Sequence, residues 1–207
     1  YLTFDGDGVC NGCLQAANRR SGEMAIDWAA RAQAFDALVE EAKAADAPMF
    51  DAMVPVSGGK DSITQVSRLL GRGLRILAIN IDYGLKTEIG ERNLALIPAM
   101  GAHLMVFTPE QNLHRRLVRI GFEDYGDPDL MSHCLLHAMP LRIAVAMKVP
   151  FVLMGENAAA QYGGDEAVAA AEAVDRRWYL KYVANSGHDP SSIAKRYGIA
   201  SERLLPY

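Results

Sequence analysis

No run of about 18 uninterrupted apolar residues occurs anywhere in these 207 residues, which removes the simplest form of a membrane-crossing helix. The pattern of a secretory leader, a basic start with an apolar middle and a small-residue cleavage site, is missing too, and a cytoplasmic location is expected. Cysteine is scarce. The three residues Cys10, Cys13 and Cys134 are an odd number and too few for a disulfide framework. Positive charge is not in excess either: the formal net charge is −4, so no general attraction to nucleic acid or anionic lipid is expected and any RNA contact would have to be a local patch. Low-complexity tracts are lacking. What the composition does supply is 50% hydrophobic residues, enough at this length for one moderately sized α/β domain with a substantial core and a small appendage. The chain opens on Tyr1 rather than Met, inside sequence that already reads as structured, and it ends as abruptly. A longer native protein is therefore expected.

Apolar spacing sets out the elements. Trp28, Arg31, Ala32, Phe35, Leu38, Val39 and Ala42 recur at three- and four-residue intervals, which predicts an amphipathic helix over 27–45. The chain then alternates: a strand near 52–56, a helix over 62–70, a strand over 75–81, a helix over 88–100, a strand over 104–107 and a longer helical stretch leading to an apolar run at 151–154. Strands separated by helices of this length predict right-handed βαβ units, hence a parallel twisted sheet with helices on both faces, a Rossmann-like α/β architecture. Four regions are delimited: residues 1–22 with the first two cysteines, a linking helix over 23–50, a nucleotide-binding domain over 51–160 and a lid or helical extension over 161–207.

The run Val54-Pro55-Val56-Ser57-Gly58-Gly59-Lys60-Asp61-Ser62 places a glycine turn between a predicted strand and a predicted helix. Adjacent glycines let the backbone approach an anion, and the N–H groups that follow point outward as the helix begins. The hydroxyl that the G-x-x-x-x-G-K-[ST] loop of γ-phosphoryl-transferring enzymes uses to hold magnesium is absent, because Asp61 follows Lys60. S-G-G-x-D-S instead resembles the PP-loop of the N-type ATP pyrophosphatases, also called adenine nucleotide α-hydrolase-like. That resemblance implies a grip on the β and γ phosphates as leaving pyrophosphate while a substrate oxygen attacks the α-phosphorus.

Ligands of open parallel sheets bind beyond the carboxyl ends of the strands, where three loops fall: 57–62, 80–87 and 155–157. Ser57, Gly58, Gly59, Lys60, Asp61, Ser62, Asn80, Asp82 and Gly155 form the expected nucleotide-binding set, with Asp82 and neighbouring backbone groups set against adenine or ribose. Lys60, Asp61 and Glu156 are the expected catalytic residues. Asp61 and Glu156 offer oxygen ligands to magnesium, and Glu156 could equally orient substrate. Near the start, Gly8-Val9-Cys10-Asn11-Gly12-Cys13 forms a C-x-x-C knuckle, half of a structural zinc site that needs two further ligands. Cys134, His133 and His137 are the local candidates for these; a cysteine pair upstream of Tyr1 is the simpler source. A redox C-x-x-C or plain buried cysteines are the competing readings.

Several runs in order resemble the N-acetyl sugar amidotransferase family of bacterial surface-polysaccharide and nonulosonic acid biosynthesis. They are Phe4-Asp5-x-x-Gly8-Val9-Cys10-x-x-Cys13, Ile26-Asp27-Trp28, the 54–62 run, Thr87-Glu88-Ile89-Gly90-x-x-Asn93-Leu94, Gly155-Glu156-Asn157 and Tyr162-Gly163-Gly164. The resemblance covers nearly the whole chain. It implies conversion of an acetamido group on a nucleotide-linked sugar to an acetamidino group, with ATP activating the amide oxygen and ammonia from separate glutaminase-like and cyclase-like subunits displacing AMP. ATP, magnesium and a structural zinc are the implied cofactors, and a homo-oligomer is compatible with it. The family also carries cysteines near the stretch after Phe122-Glu123-Asp124-Tyr125-Gly126-Asp127, where this chain offers only Cys134, and that departure argues against a second metal or a catalytic cysteine.

The rival reading keeps the activation step but changes the acceptor to tRNA, as in thiolating PP-loop enzymes. Asn112-Leu113-His114-Arg115-Arg116-Leu117-Val118-Arg119 would be the face meeting RNA phosphates, or a sugar nucleotide's diphosphate, unless it is a solvated helix face. Cys134 could carry sulfur, although a small buried apolar role suits it better. The third reading is a nucleotide-binding subunit without turnover, against which Ser57, Asp61 and Ser62 speak. His133 and His137 are candidate proton carriers or sugar ligands, 161–174 a candidate lid, and Trp178, Tyr179 and Tyr182 packing residues or a stacking platform.

Overall fold

A computed structural model describes residues 3–21, 27–155 and 190–207. Four parallel strands, β1 (Ala52–Pro55), β2 (Ile76–Ile81), β3 (His103–Phe107) and β4 (Phe151–Val152), lie in the order β3-β2-β1-β4. Register pairs Ala52 with Ile76 and with Phe151, and Leu77 with His103. The helices are α1 (Asn11–Ser21), α2 (Trp28–Ala44), α3 (Lys60–Leu70), α4 (Glu88–Ala99), α5 (Gln111–Tyr125), α6 (Leu130–Met147) and α7 (Pro190–Tyr197), followed by a 3₁₀ turn at Ser201–Leu204.

Strand alternation divides the apolar core into two layers, because successive side chains leave a strand on opposite faces. Ala52, Val54, Val56, Ile76 and Ala78 face one side, packed by Val39 and Ala42 of α2, Val66 and Leu69 of α3, and Leu94 and Ile97 of α4. Met53, Leu77, Ile79 and Ile81 face the other, packed by Leu113 and Leu117 of α5, Leu130, Met131 and Leu135 of α6, and Ile193 of α7. The parallel sheet with helices on both faces therefore forms as expected. All six residues of β2 are buried, as a central parallel strand covered on both sides requires.

Element boundaries follow local chemistry. Asp27 caps α2 by accepting from the Ala30 N–H at 2.9 Å, and Thr87 caps α4 by accepting from the Gly90 N–H at 3.1 Å. The long helical stretch after β3 is two helices, because Gly126 takes the left-handed conformation (φ 69°) and closes α5 with its N–H on the Phe122 carbonyl. Helix α6 runs through Pro140 rather than ending before it; the ring is buried, and packing of the surrounding turns outweighs the lost backbone bond. This helix is long and apolar enough to cross a membrane by length and composition, yet Leu130, Met131, Leu135 and Ala144 belong to the core.

Buried Asp51, just before β1, accepts from the Arg75 backbone N–H at 2.7 Å and from its guanidinium Nε at 3.1 Å, which ties the entries of β1 and β2 together. The guanidinium holds the Asp51 carboxyl below the usual carboxylate range. At the other end of the chain, Asp5 Oδ1 accepts from the Asp7 and Val9 N–H groups at 3.0 and 2.8 Å, and Phe4 bridges Cys10 in a tight hairpin that leads into α1.

Candidate active site

The strand order reverses at β1: the chain steps from β1 to β2 to β3 and then returns to the other side of β1 as β4. A crevice at the carboxyl ends of β1 and β4 is where such sheets bind ligands. The 56–59 segment and the 153–155 segment form its two walls. They are joined by Gln65 of α3, whose Nε2 donates to the Met154 carbonyl at 3.3 Å.

The wall after β1 is held from several directions. The Val56 N–H donates to the Ile79 carbonyl at 2.8 Å, and the buried Asn80 returns Nδ2 to the Val56 carbonyl at 2.7 Å. Gly58 sits at φ 83°, and a Cβ there would lie 2.5 Å from the Gly90 carbonyl oxygen and 2.9 Å from the Gly90 Cα. No other residue type fits that approach without displacing the backbone of α4. Asn93 of α4 donates Nδ2 to the Gly58 carbonyl at 2.8 Å, fixing the turn a second time. Within the loop, Ser57 Oγ accepts from the Gly59 N–H at 3.3 Å and Ser62 Oγ donates to the Gly59 carbonyl at 3.2 Å.

Helix α3 then begins at Lys60, two residues earlier than expected, with Gly59 as its N-cap and no side-chain cap. The first bond of the helix is the Ile63 N–H to the Gly59 carbonyl, so the N–H groups of its first turn await an acceptor. An uncapped helix start behind a glycine turn is suited to phosphate. Lys60 Nζ and Asp61 Oδ2 stand 3.2 Å apart with side chains 88% and 81% exposed, a weak pair that either partner can leave for a ligand.

The 80–87 loop makes the far rim. Asp82 Oδ1 accepts from the Gly84 N–H at 2.8 Å, and its Oδ2 pairs with Lys86 Nζ at 2.8 Å; Lys86 also reaches Asn80 Oδ1 at 3.5 Å. Lys86 and the Gly84 amide hold the Asp82 carboxyl below its ordinary range, so it is a fixed anion at neutral pH. Next to it Tyr83 is anchored by its hydroxyl to the Ser132 carbonyl at 3.0 Å and stacks on buried His114 with ring centroids 4.9 Å apart. His114 Nδ1 meets the Tyr207 hydroxyl at 3.2 Å. Burial lowers the His114 pKa and pushes the Tyr207 hydroxyl up to about 12.

Of the expected site residues, Ser57, Gly58, Gly59, Lys60, Asp61 and Ser62 form one continuous turn, with Asn80 beneath it and Asp82 on the neighbouring strand end. Gly155 stands exposed on the opposite wall, where a Cβ would be 3.9 Å from Gln65 Oε1. Asn80 and Ser62 spend their side-chain hydrogen bonds on loop atoms, so what the structure records for them is positioning. Glu156 lies outside the described residues, as do 157, 161–174, Trp178, Tyr179 and Tyr182. Gln65, Lys86 and Asn93 were given no role from sequence. Lys86 was signalled by its i,i+4 spacing from Asp82, whereas Gln65 and Asn93 reach the loops only through tertiary packing.

The metal expectations fare differently. The Cys13 N–H donates to Cys10 Sγ at 3.4 Å and holds the Cys10 thiol below its usual range, which is the amide-to-sulfur geometry of a knuckle. Two thiols are half of a structural zinc site, and among the described residues no group of three or more His, Cys, Asp or Glu could hold a metal. Cys134 and His137 are buried in α6 within or beside the core, so the local source expected for the missing ligands is not supplied by α6. For magnesium, Asp61 is an exposed oxygen donor at the helix start, a donor type that suits the ion, with no second described carboxylate grouped with it. In the basic run of α5, Leu113, His114 and Leu117 are buried, while Arg115, Arg116 and Arg119 are exposed, with Arg116 donating to the Tyr197 carbonyl at 2.7 Å.

No family model and no curated protein matches the chain. Solved structures do. An NMN synthetase from Francisella tularensis superposes with a TM-score of 0.47 at 14% identity, over 82% of this chain and 69% of that one. An NH3-dependent NAD synthetase from Campylobacter jejuni, determined with a nitrate ion, gives 0.43 at 12%, over 87% and 91%. A predicted tRNA methyltransferase subunit from Methanocaldococcus jannaschii gives 0.39 at 15%, over 75% and 92%. At this level of identity and superposition the likeness carries no statement about reaction or substrate.

Proposed function

We propose that the chain is an ATP-dependent, AMP-forming amidotransferase that adenylates the acetamido oxygen of a nucleotide-linked N-acetyl sugar and replaces that oxygen with ammonia-derived nitrogen. The observation that carries this reading is the 57–62 turn. Gly58 is pressed against Gly90, the α3 start has no side-chain cap, and Asp61 stands where a γ-phosphoryl-transferring loop needs a hydroxyl.

In this reading the N–H groups at the start of α3 and the Lys60 ammonium receive the β and γ phosphates. The amide oxygen attacks the α-phosphorus and pyrophosphate leaves. Ammonia then adds at the activated carbon, the C–O bond breaks to release AMP with the former amide oxygen, and the nitrogen loses a proton to give the acetamidino group. Asp61 and Glu156 would hold magnesium, which would supply neutralisation of the departing pyrophosphate. The protein's share is orientation and charge placement rather than covalent work. Asp82 accepts from a ribose or base in this reading, supported by its partner Lys86, which keeps it ionised. Glutaminase-like and cyclase-like partners supply ammonia, a cytoplasmic setting follows from ATP and sugar-nucleotide use, and Cys10 with Cys13 contributes half of a structural zinc site.

The test combines the full chain with ATP, magnesium, ammonium and a panel of nucleotide-linked diacetamido sugars, following AMP, pyrophosphate and sugar mass. Sugar-dependent AMP release with oxygen replaced by NH supports the reading. AMP release that depends on bulk tRNA instead of sugar would transfer it to tRNA modification.

A further inference from the structure

A groove of about 380 Å³ is lined by residues of α2 and α3 together with Leu153, which follows β4. Its floor is apolar, from Phe35, Leu69 and Leu153, and its rims carry Trp28, Arg31 and Arg68. The Trp28 side chain is 72% exposed at the first position of α2, an unusual place for an indole that has nothing to cover. A third guanidinium, Arg72, is already committed: it pairs with Asp36 at 3.0 Å and lies 5.2 Å over the Phe35 ring. Arg31 and Arg68 have no acidic partner among the described residues, so the groove carries two uncompensated guanidinium groups beside an exposed aromatic ring. At its inner end Gln65 lines the groove; its amide nitrogen is used on the Met154 carbonyl, and its buried Oε1 has no donor among the described residues.

Each of these features asks for a ligand group. Guanidinium pairs match phosphate oxygens in a planar, bidentate fashion, an exposed indole offers a stacking face, and a buried amide oxygen lacks an N–H. The geometry points to a nucleoside diphosphate as the occupant, with its diphosphate on Arg31 and Arg68, its base against Trp28, and the attached group directed past Gln65 toward Gly155 and the α3 start. Gln65 and Leu69 lie on α3, the helix that begins at Lys60, so the groove and the phosphate turn are two sites on one helix. The same helix would hold ATP at its start and the nucleotide handle of the acceptor along its flank. This inference rests on the proposed function only for what is attached to the nucleotide; the groove's own ligand class follows from its lining.

The test is direct binding by calorimetry on the full chain, with uridine diphosphate and guanosine diphosphate as probes and uridine and inorganic pyrophosphate as their two halves. Each diphosphate is expected to bind at least about tenfold more tightly than either half, since base and phosphates meet separate parts of the groove. The double variant Arg31→Ser, Arg68→Ser is expected to weaken diphosphate binding by about tenfold or more. In contrast, Lys60→Met, which removes the ammonium of the phosphate turn, leaves it unchanged. A second measurement uses ligand-induced change in tryptophan fluorescence, which Trp28→Phe should abolish. Absence of binding by both diphosphates, undiminished binding in the double arginine variant, or loss in Lys60→Met equal to that in the double variant would overturn the groove. Sugar-independent turnover combined with intact diphosphate binding would instead remove the amidotransferase reading and leave the groove standing.

Discussion

Gly58→Ala is the sharpest single perturbation of the phosphate turn. Two costs combine. A non-glycine residue held at φ 83° is strained by about 1–2 kcal/mol, and the new methyl would sit 2.5 Å from the Gly90 carbonyl oxygen, so α4 must retreat at an overpacking cost of about 1–3 kcal/mol. The total is about 2–5 kcal/mol, against a typical domain stability of about 5–15 kcal/mol. Gly73→Ala separates the two contributions, because Gly73 has nearly the same backbone (φ 81°) but nothing within 4 Å of its would-be Cβ. Urea unfolding followed by circular dichroism should therefore place Gly73→Ala about 1–2 kcal/mol below the parent and Gly58→Ala lower by a further 1–3 kcal/mol, roughly. Retreat of α4 also pulls Asn93 off the Gly58 carbonyl, and a shift of about 1 Å in the turn should reduce AMP formation by about 10²-fold, while Gly73→Ala keeps full activity. Equal unfolding midpoints for the two variants, or full AMP formation in Gly58→Ala, would refute the idea that contact with α4 sets the turn.

Asp61→Asn removes one partner of an exposed pair, so stability should change by no more than about 0.5 kcal/mol while AMP formation falls by about 10²-fold or more; denaturation and turnover measured on one preparation check this. Asp51 should show itself in acid. Its folded pKa is depressed by Arg75, so its contribution is complete above its unfolded value near about 3.9 and disappears as pH falls through the lower folded value. Asp51→Asn should therefore lower stability at pH 7 and flatten the acid limb of a stability profile. His114 works in the same direction by another route: burial lowers its folded pKa, the unfolded chain takes up a proton first, and stability is lost as pH falls from about 6.5 toward that lower value. His114→Phe should remove that part of the slope. Lys86→Met should release Asp82 toward its ordinary pKa and raise the KM for ATP with little change in unfolding midpoint, as read by initial rates across ATP concentration.

Local signals made much of this legible. The strand-turn-helix run at 54–62 and the alternation of apolar runs express physics confined to a few neighbouring residues. Both appear where expected, with α3 starting two residues earlier because Gly59, rather than a hydroxyl residue, takes the N-cap. What stayed hidden depends on partners distant in sequence. Gln65 meets Met154 across 89 residues and Asn93 meets Gly58 across 35, and neither spacing leaves a local trace. The single longer helical stretch expected after β3 is divided into α5 and α6 at Gly126, whose left-handed conformation closes α5. His137 is a ligand candidate by residue type alone; its burial in α6 is a tertiary outcome that residue type does not foretell.

The turn separates two kinds of residue that a sequence motif runs together. Gly58 and Ser62 take part in contacts that fix the backbone, and Asn80 and Asn93 brace it from β2 and α4. Among the described residues the Lys60 and Asp61 side chains pair with each other alone and remain open to a ligand. A rigid cradle with free charges is what positioning and charge stabilisation require, since fixed N–H groups need no reorganisation when charge develops. It follows that substitutions in one short segment should fall into two classes. Asn93→Ala, which leaves the Gly58 carbonyl without its donor, should cost about 1–3 kcal/mol of stability and lower activity in proportion to the loosened turn. Lys60→Met should leave the unfolding midpoint in place while AMP formation collapses. Parallel losses of stability and activity in both variants would mean that the turn is not preorganised and that its order comes from the ligand.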